Sequence, residues 1–271
     1  MKRILGIAMV LGLVSAVVVM GQEVKTGKVE VIDLGKDVKL EMVLIPAGKF
    51  IMGAPKNEES WTDGETQHFV TITKPYYMGK YEVTQEQYEA VMGKNPSEEK
   101  GAKLPVTDVS WVDCQECIKK LNTYTAGGFR LPTEAEWEYA CRAGTKTPYS
   151  FGSKITPKDA NYAGSKIEKP VEVGSYKSNA FGLYDMHGNV DEWCEDFRAP
   201  YPAKAVIDPK GPGQAYKNNE LFSVYQNSGV LRGGSYFYNE IGARSAWRGT
   251  VNYNNRVARY KFNGFRLART K

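Results

Sequence analysis

Leu231-Arg232-Gly233-Gly234-Ser235 and, further on, Asn263-Gly264-Phe265-Arg266-Leu267 frame the segment that decides how this chain is read. Between them lie Tyr236, Tyr238, Asn239, Ile241, Trp247, Asn252, Tyr253, Asn254 and Asn255. Aromatics with polar tips, mixed with small amides, make poor core and poor acid–base chemistry. They make good contact surface, because Tyr and Trp give area at low entropic cost while Asn adapts its hydrogen bonds. The paired glycines and the closing Gly-Phe-Arg-Leu promise a fixed frame around adaptable contents. Residues 231–267 are therefore the expected binding region, and the residues just named its ligand-contacting set. The competing reading packs the aromatics on a sheet and puts the Asn residues in turns. Arg244, Arg248, Arg256 and Arg266 are expected to tie loops to carboxylates.

The bulk numbers fit a folded chain. A length of 271 residues allows one large domain or two small ones. Hydrophobic content of 42% and aromatic content of 12% support a packed core. The net charge of +5 drops by two once Lys2 and Arg3 are removed, and the remaining Lys and Arg are scattered. That argues against nucleic acid as a partner.

Residues 1–21 read as a secretory signal peptide: Lys2-Arg3, an uncharged run from Ile4 to Met20, then Gly21 before a polar stretch. An uncleaved signal anchor is the alternative, since the run is at the short end of a membrane span. Secretion, or such an anchor, is the only membrane link expected. Residues 22–40 read as a strand or linker, and 41–271 as the domain.

Cys114, Cys117, Cys141 and Cys194 form no metal pattern. Cys114-x-x-Cys117 falls inside a helical pattern and not at a helix start, where a redox pair would gain its low pKa. One buried and one partly buried thiol are expected there. His68 and His187 are too few for a proton relay and read as structural.

Capping boxes announce three helices. Thr84 with Gln87 opens one to about Val91, Ser110 with Asp113 one to about Asn122, and Thr133 with Glu136 one over Glu134–Arg142, stopped by Gly144. Met42–Gly53 reads as two short strands around Pro46-Ala47-Gly48, and Phe69–Ile72 and Tyr76–Val83 as further strands. After Gly144 the sequence holds short β-type runs, glycines and turns. Glu134, Glu136 and Glu138 lie on differing helix faces and are not expected to catalyse. Asp191, Glu192, Glu195 and Asp196 are expected to be solvated or metal-related.

Several phrases in order resemble one family: Met42–Gly53, Tyr81-Glu-Val-Thr84, Pro105–Trp111, Arg130–Gly144, Asn179–Trp193, Leu231-Arg-Gly-Gly-Ser235 and Gly264-Phe-Arg-Leu267. Over about residues 40–268 the chain resembles the formylglycine-generating enzyme, or sulfatase-modifying factor, family. The resemblance implies an α+β, C-type-lectin-like fold of the formylglycine-generating subtype, with a small twisted antiparallel sheet, flanking helices and much irregular structure. The family's enzymes oxidise a sulfatase cysteine through two copper-binding cysteines. Counted from Ser235, those positions fall on Tyr238 and Ala243, and no cysteine follows Cys194. A phenol does not replace a thiolate as a soft Cu(I) ligand, so neither copper nor oxidase activity is expected.

The resemblance also implies a structural Ca²⁺ held by Asp185, Gly188, Val190 and Glu192, the first and last through side chains and the others through carbonyls. A turn closed by hydrogen-bonded carboxylates without an ion is the competing reading. Within the fold, the tail resembles the variable proteins of diversity-generating retroelements. The expected function is binding of a protein or other macromolecule on another cell or host, by a chain secreted from or exposed on a bacterium. A formylglycine-generating oxidase and a fixed structural envelope component are the rivals.

Overall fold

The computed structural model describes residues 27–211, 228–250 and 255–271. The signal segment lies outside them. The strands are β1 (Val29–Asp33), β2 (Lys39–Ile45), β3 (Gly48–Met52), β4 (His68–Ile72), β5 (Tyr76–Gly79), β6 (Phe129–Arg130), β7 (Asp191–Phe197), β8 (Val206–Ile207), β9 (Gly229–Arg232), β10 (Gly249–Thr250), β11 (Asn263–Gly264) and β12 (Ala268–Thr270). The helices are α1 (Gln85–Met92), α2 (Trp111–Tyr124) and α3 (Glu134–Arg142).

Each helix starts where its capping box lies. Thr84, Ser110 and Thr133 each accept from the amide three residues on, and Gln87, Asp113 and Glu136 return a bond to the cap amide. Losing such a cap typically costs about 1 kcal/mol. Helix α3 ends on Ala143, itself left-handed at φ 45°, one residue before the glycine expected to stop it.

A five-stranded sheet runs β1-β2-β5-β12-β6 with antiparallel neighbours. Its C-terminal strand β12 enters between β5 and β6, so the end of the chain closes a sheet built mostly from its first half. A second sheet runs β10-β9-β7-β11 and a third β3-β4-β8. Each contains one parallel pair, β11 with β7 and β4 with β8. The strands flanking Pro46-Ala47 do not form a hairpin: β2 joins the first sheet and β3 the third.

The buried apolar residues form two clusters, and the central strands divide them. On β9, Leu231 faces one cluster and Val230 the other; on β7, Trp193 and Cys194 do the same. This is the period-2 alternation of strands with apolar matter on both faces. The first cluster packs α1 and α2, including Tyr88, Cys114 and Leu121, against Phe265 and Leu267. The second surrounds Trp137 and Cys141 of α3. Cys114 and Cys117 are both buried, so the partly buried thiol expected there does not occur.

Candidate functional site

The Arg-Gly-Gly-Ser stretch is fixed from below by charge. Arg232 is fully buried and reaches Glu138 at 2.6 Å, Glu134 at 3.3 Å, and the carbonyls of Ser245 and Ala246. Glu134 also takes a two-point bond from Arg248, and Glu138 a bond from Arg142. Three arginines thus converge on two glutamates of α3, whose acids have structural partners. Gly233 and Gly234 follow at φ 93° and 71°. A Cβ on Gly234 would meet the Gly242 carbonyl at 2.5 Å, so only glycine lets the chain turn here. The sequence that follows is held at a fixed exit.

Beyond that exit the aromatics alternate. Tyr236 is buried, and its hydroxyl donates to the Lys261 carbonyl. It belongs to the frame and does not reach the surface set in which the sequence placed it. Phe237 is 56% exposed. It stacks on Phe262 at 5.0 Å, and Phe262 stacks on Tyr260 at 5.4 Å. Tyr238 packs edge-on against Phe237 and Phe262 and leans on Trp247 at 5.8 Å. Asn239 is exposed, and Ile241 is half-buried in the short 3-10 helix Glu240–Ala243. Tyr238, Asn239, Ile241 and Trp247 therefore gather in one region. Asn252, Tyr253 and Asn254 lie outside the described residues, and Asn255 opens the 3-10 helix Asn255–Val257.

Sequence reasoning missed Phe237, Tyr260 and Phe262. The available signal was the pair Tyr260-x-Phe262 just before Asn263-Gly264; a turn closed by the Asn263 amide on the Tyr260 carbonyl brings the two rings together.

Of the four arginines read as scaffold, three behave so. Arg244 pairs with Glu58 and Glu65, Arg248 with Glu134, and Arg266 with Glu192. Arg256 instead lies over the rings of Trp111 and Phe197 at 3.6 and 3.4 Å. Burial outweighs the nearby Glu195 and Asp196 charges and pulls its pKa down to about 10.

Nucleophilic and redox chemistry has little to draw on among the described residues. Burial pushes the Cys117 and Cys141 thiols up to about 12, and Cys114 and Cys194 well above the usual thiol range. Such thiols stay protonated and are poor nucleophiles and metal ligands. Ala243 is buried, and its carbonyl meets His187 Nδ1 at 2.8 Å. His187 Nε2 faces the Ser150 amide at 3.0 Å, and burial lowers its pKa to about 4, so the ring is a neutral packing element.

A model of the sulfatase-modifying factor enzyme 1-like domain matches residues 33–271. The chain belongs to the sulfatase-modifying factor family. Its fold is the C-type-lectin-like, formylglycine-generating subtype of the α+β class. Variable protein 1 of Treponema denticola superposes with a TM-score of 0.76 at 28% identity, covering 90% of this chain and 99% of that one. PvdO from Pseudomonas aeruginosa superposes with a TM-score of 0.72 at 29% identity, covering 89% and 98%. The formylglycine-generating enzyme of Streptomyces coelicolor is 28% identical, over 72% of this chain and 78% of its own.

Against this family background, the turn from Asp185 to Glu192 divides into two halves. Asp185 sits at φ 56°; one carboxylate oxygen accepts from the Gly174 amide at 2.6 Å. Its other oxygen is buried and has no hydrogen-bond partner, which fits an oxygen-seeking cation. Glu192 does not present a free oxygen. Arg266 takes both oxygens and Trp137 Nε1 donates to one at 2.6 Å. Gly188 turns at φ 89°, and the Val190 amide donates to Glu82. Glu82, Asp185 and Glu192 act on one arginine, Arg266. Burial and the two neighbouring acids raise Glu82 well above the ordinary carboxylate range. Asp191 and Asp196 are likewise buried and not solvated.

Proposed function

We propose that this member of the sulfatase-modifying factor family is a non-catalytic binding protein. Its contact surface is the aromatic cluster of Phe237, Tyr238, Trp247, Tyr260 and Phe262, with Asn239 and Ile241 at its border. The observation that carries the reading is the pairing of Tyr238 and Ala243 at the positions of the catalytic thiols. A phenol and a methyl group there offer no soft ligand for copper. Large rings held on a fixed backbone supply binding energy through a few anchors. The partner class is a protein or another macromolecule on another cell or host, met by a secreted or envelope-exposed chain. Replacement of side chains at a fixed exit would change specificity without refolding the scaffold, which suits diversification of residues 231–267.

A calcium ion at the Asp185 turn would be held by Asp185 and neighbouring carbonyls, and would offset the excess of buried carboxylate over Arg266. It would fix a loop and take no part in chemistry.

The experiment is to sequence the coding region for residues 231–267 and its flanks across clonal isolates. A near-copy differing only at adenines supports a diversified binder. One invariant tail without such a copy moves the reading to a fixed partner. Oxygen-dependent turnover of a cysteine peptide by the copper-loaded chain would overturn both.

A further inference from the structure

Directly behind the aromatic surface lies a polar cluster that the proposed function leaves unused. Asp191, Ser235 and Asn263 are essentially inaccessible to solvent, at 0%, 1% and 0% exposure. Both carboxylate oxygens of Asp191, the hydroxyl of Ser235, and both amide atoms of Asn263 lack a hydrogen-bond partner. Such orphaned atoms are rare in interiors, because each costs its desolvation without return.

The topology brings the three together. Asn263 on β11 is the register partner of Asp191 on β7, in parallel pairing. Register partners on adjacent strands lie about 4.8 Å apart and project from the same face. The Gly234 amide and the Ser235 hydroxyl adjoin the Asp191 carboxylate and favour its ionised form. Buried Ser235 is two residues before exposed Phe237, and buried Asn263 is next to Phe262, which ties the cluster to the backbone that carries the surface rings.

The chemistry of the donors selects the occupant. Two carboxylate oxygens, an amide oxygen and a hydroxyl are hard oxygen ligands, suited to cations that carry no soft character. Burial and the Glu192 charge beside it disfavour the ionised Asp191 carboxylate, so its single negative charge is held only with a cation to offset it. Among the described residues no lysine or arginine forms an ion pair with it; Arg266 is committed to Glu192 and Arg232 to Glu134 and Glu138. A buried unpaired carboxylate is costly. A monovalent cation cancels the charge, whereas a divalent one would leave an uncompensated charge in the interior. We propose that Asp191, Ser235 and Asn263 hold an alkali-metal cation, sodium or potassium, that anchors the start of the binding segment to β7 and β11.

The test uses the purified full chain with EGTA present, so that calcium makes no contribution. Thermal midpoints are compared in sodium, potassium and tetramethylammonium chlorides at equal ionic strength. The expected result is a midpoint roughly 4 °C or more higher in the preferred alkali salt, and loss of that increment in Asp191→Asn, which keeps the side-chain volume. Which alkali salt gives the increment names the ion. Equal midpoints in all three salts would overturn the proposal and leave the cluster to a proton or water. An undiminished increment in Asp191→Asn would place the ion elsewhere and overturn it equally. Should that variant not fold, sodium resonance broadening by the unmodified chain, reversed by potassium, is the expected signature, and no broadening with no midpoint difference is the overturning one.

Discussion

Arg266 holds Glu192 in a two-point ion pair with both side chains fully buried, Nη2 to Oε1 at 2.6 Å and Nε to Oε2 at 2.7 Å. The same guanidinium donates to the carbonyls of Gly79 and Tyr184, so it clasps the end of β5 and a neighbouring loop to β7. Arg266→Leu would strand the Glu192 carboxylate in the interior. The expected cost is about 3–5 kcal/mol, read from urea unfolding midpoints. Pairing it with Glu192→Gln should recover part of the loss; a single variant within about 0.5 kcal/mol of wild type would mean that water reaches the pair.

Tyr236 and Phe237 are neighbours with opposite roles, and substitution should separate them. Tyr236→Ala removes a buried ring and its bond to Lys261, and is expected to cost about 3 kcal/mol or more. Phe237→Ala removes an exposed ring and should leave stability within about 0.5 kcal/mol while weakening ligand capture. Thermal melts of both variants check this. Equal losses would mean that Phe237 is core.

How much of this was legible in the sequence depends on the range of each interaction. The starts of α1, α2 and α3 were readable because a capping box is a contact across three residues. The frame of the C-terminal segment was readable because Gly233 and Gly234 stand where backbone must turn left-handed. The assignment of β2 and β3 to separate sheets was not, since partner choice depends on strands far along the chain. The place of Glu192 in a motif implies a metal ligand, whereas its pairing with Arg266, 74 residues away, is a contact that no local motif carries. Tyr236 faces inward and Phe237 outward because both sit in a turn after the glycine pair, closed by the Tyr238 amide donating to the Ser235 carbonyl, and aromatic content alone does not carry that geometry.

The four cysteines should resist alkylation in the folded chain. All are buried, and burial holds each thiol above its usual range. Mass spectrometry after iodoacetamide at neutral pH is expected to show no addition until denaturant is present. Rapid native labelling of Cys141 or Cys194 would show an access route to α3 and reopen a redox role.

Calcium should act through Asp185. With EGTA, the thermal midpoint is expected to fall by the linkage amount RT ln(1 + [L]/Kd). Asp185→Ala should remove that response, while Glu192→Gln, already destabilised by loss of the Arg266 pair, should retain it. No response to millimolar calcium in the unmodified chain would remove the ion from this turn.

Asp196 gives the chain an unusual acid-side stability. Its carboxylate accepts the Glu134 amide at the start of α3 at 2.7 Å, a bond that favours ionisation. Burial and the Glu134 charge outweigh that bond and push the group up to about 8. An unfolded aspartate titrates near about 4. The folded state therefore holds a proton that the unfolded state releases between those values. The contribution is complete below about pH 4 and is lost as pH rises towards 8, with each unit of separation worth about 1.4 kcal/mol. Asp196→Asn keeps the acceptor and does not titrate. It is expected to match the wild type near pH 4 and to exceed it increasingly up to pH 8, measured by urea midpoints across that window. Parallel pH profiles for the two proteins would show that Asp196 is ionised in the fold and compensated by Arg248.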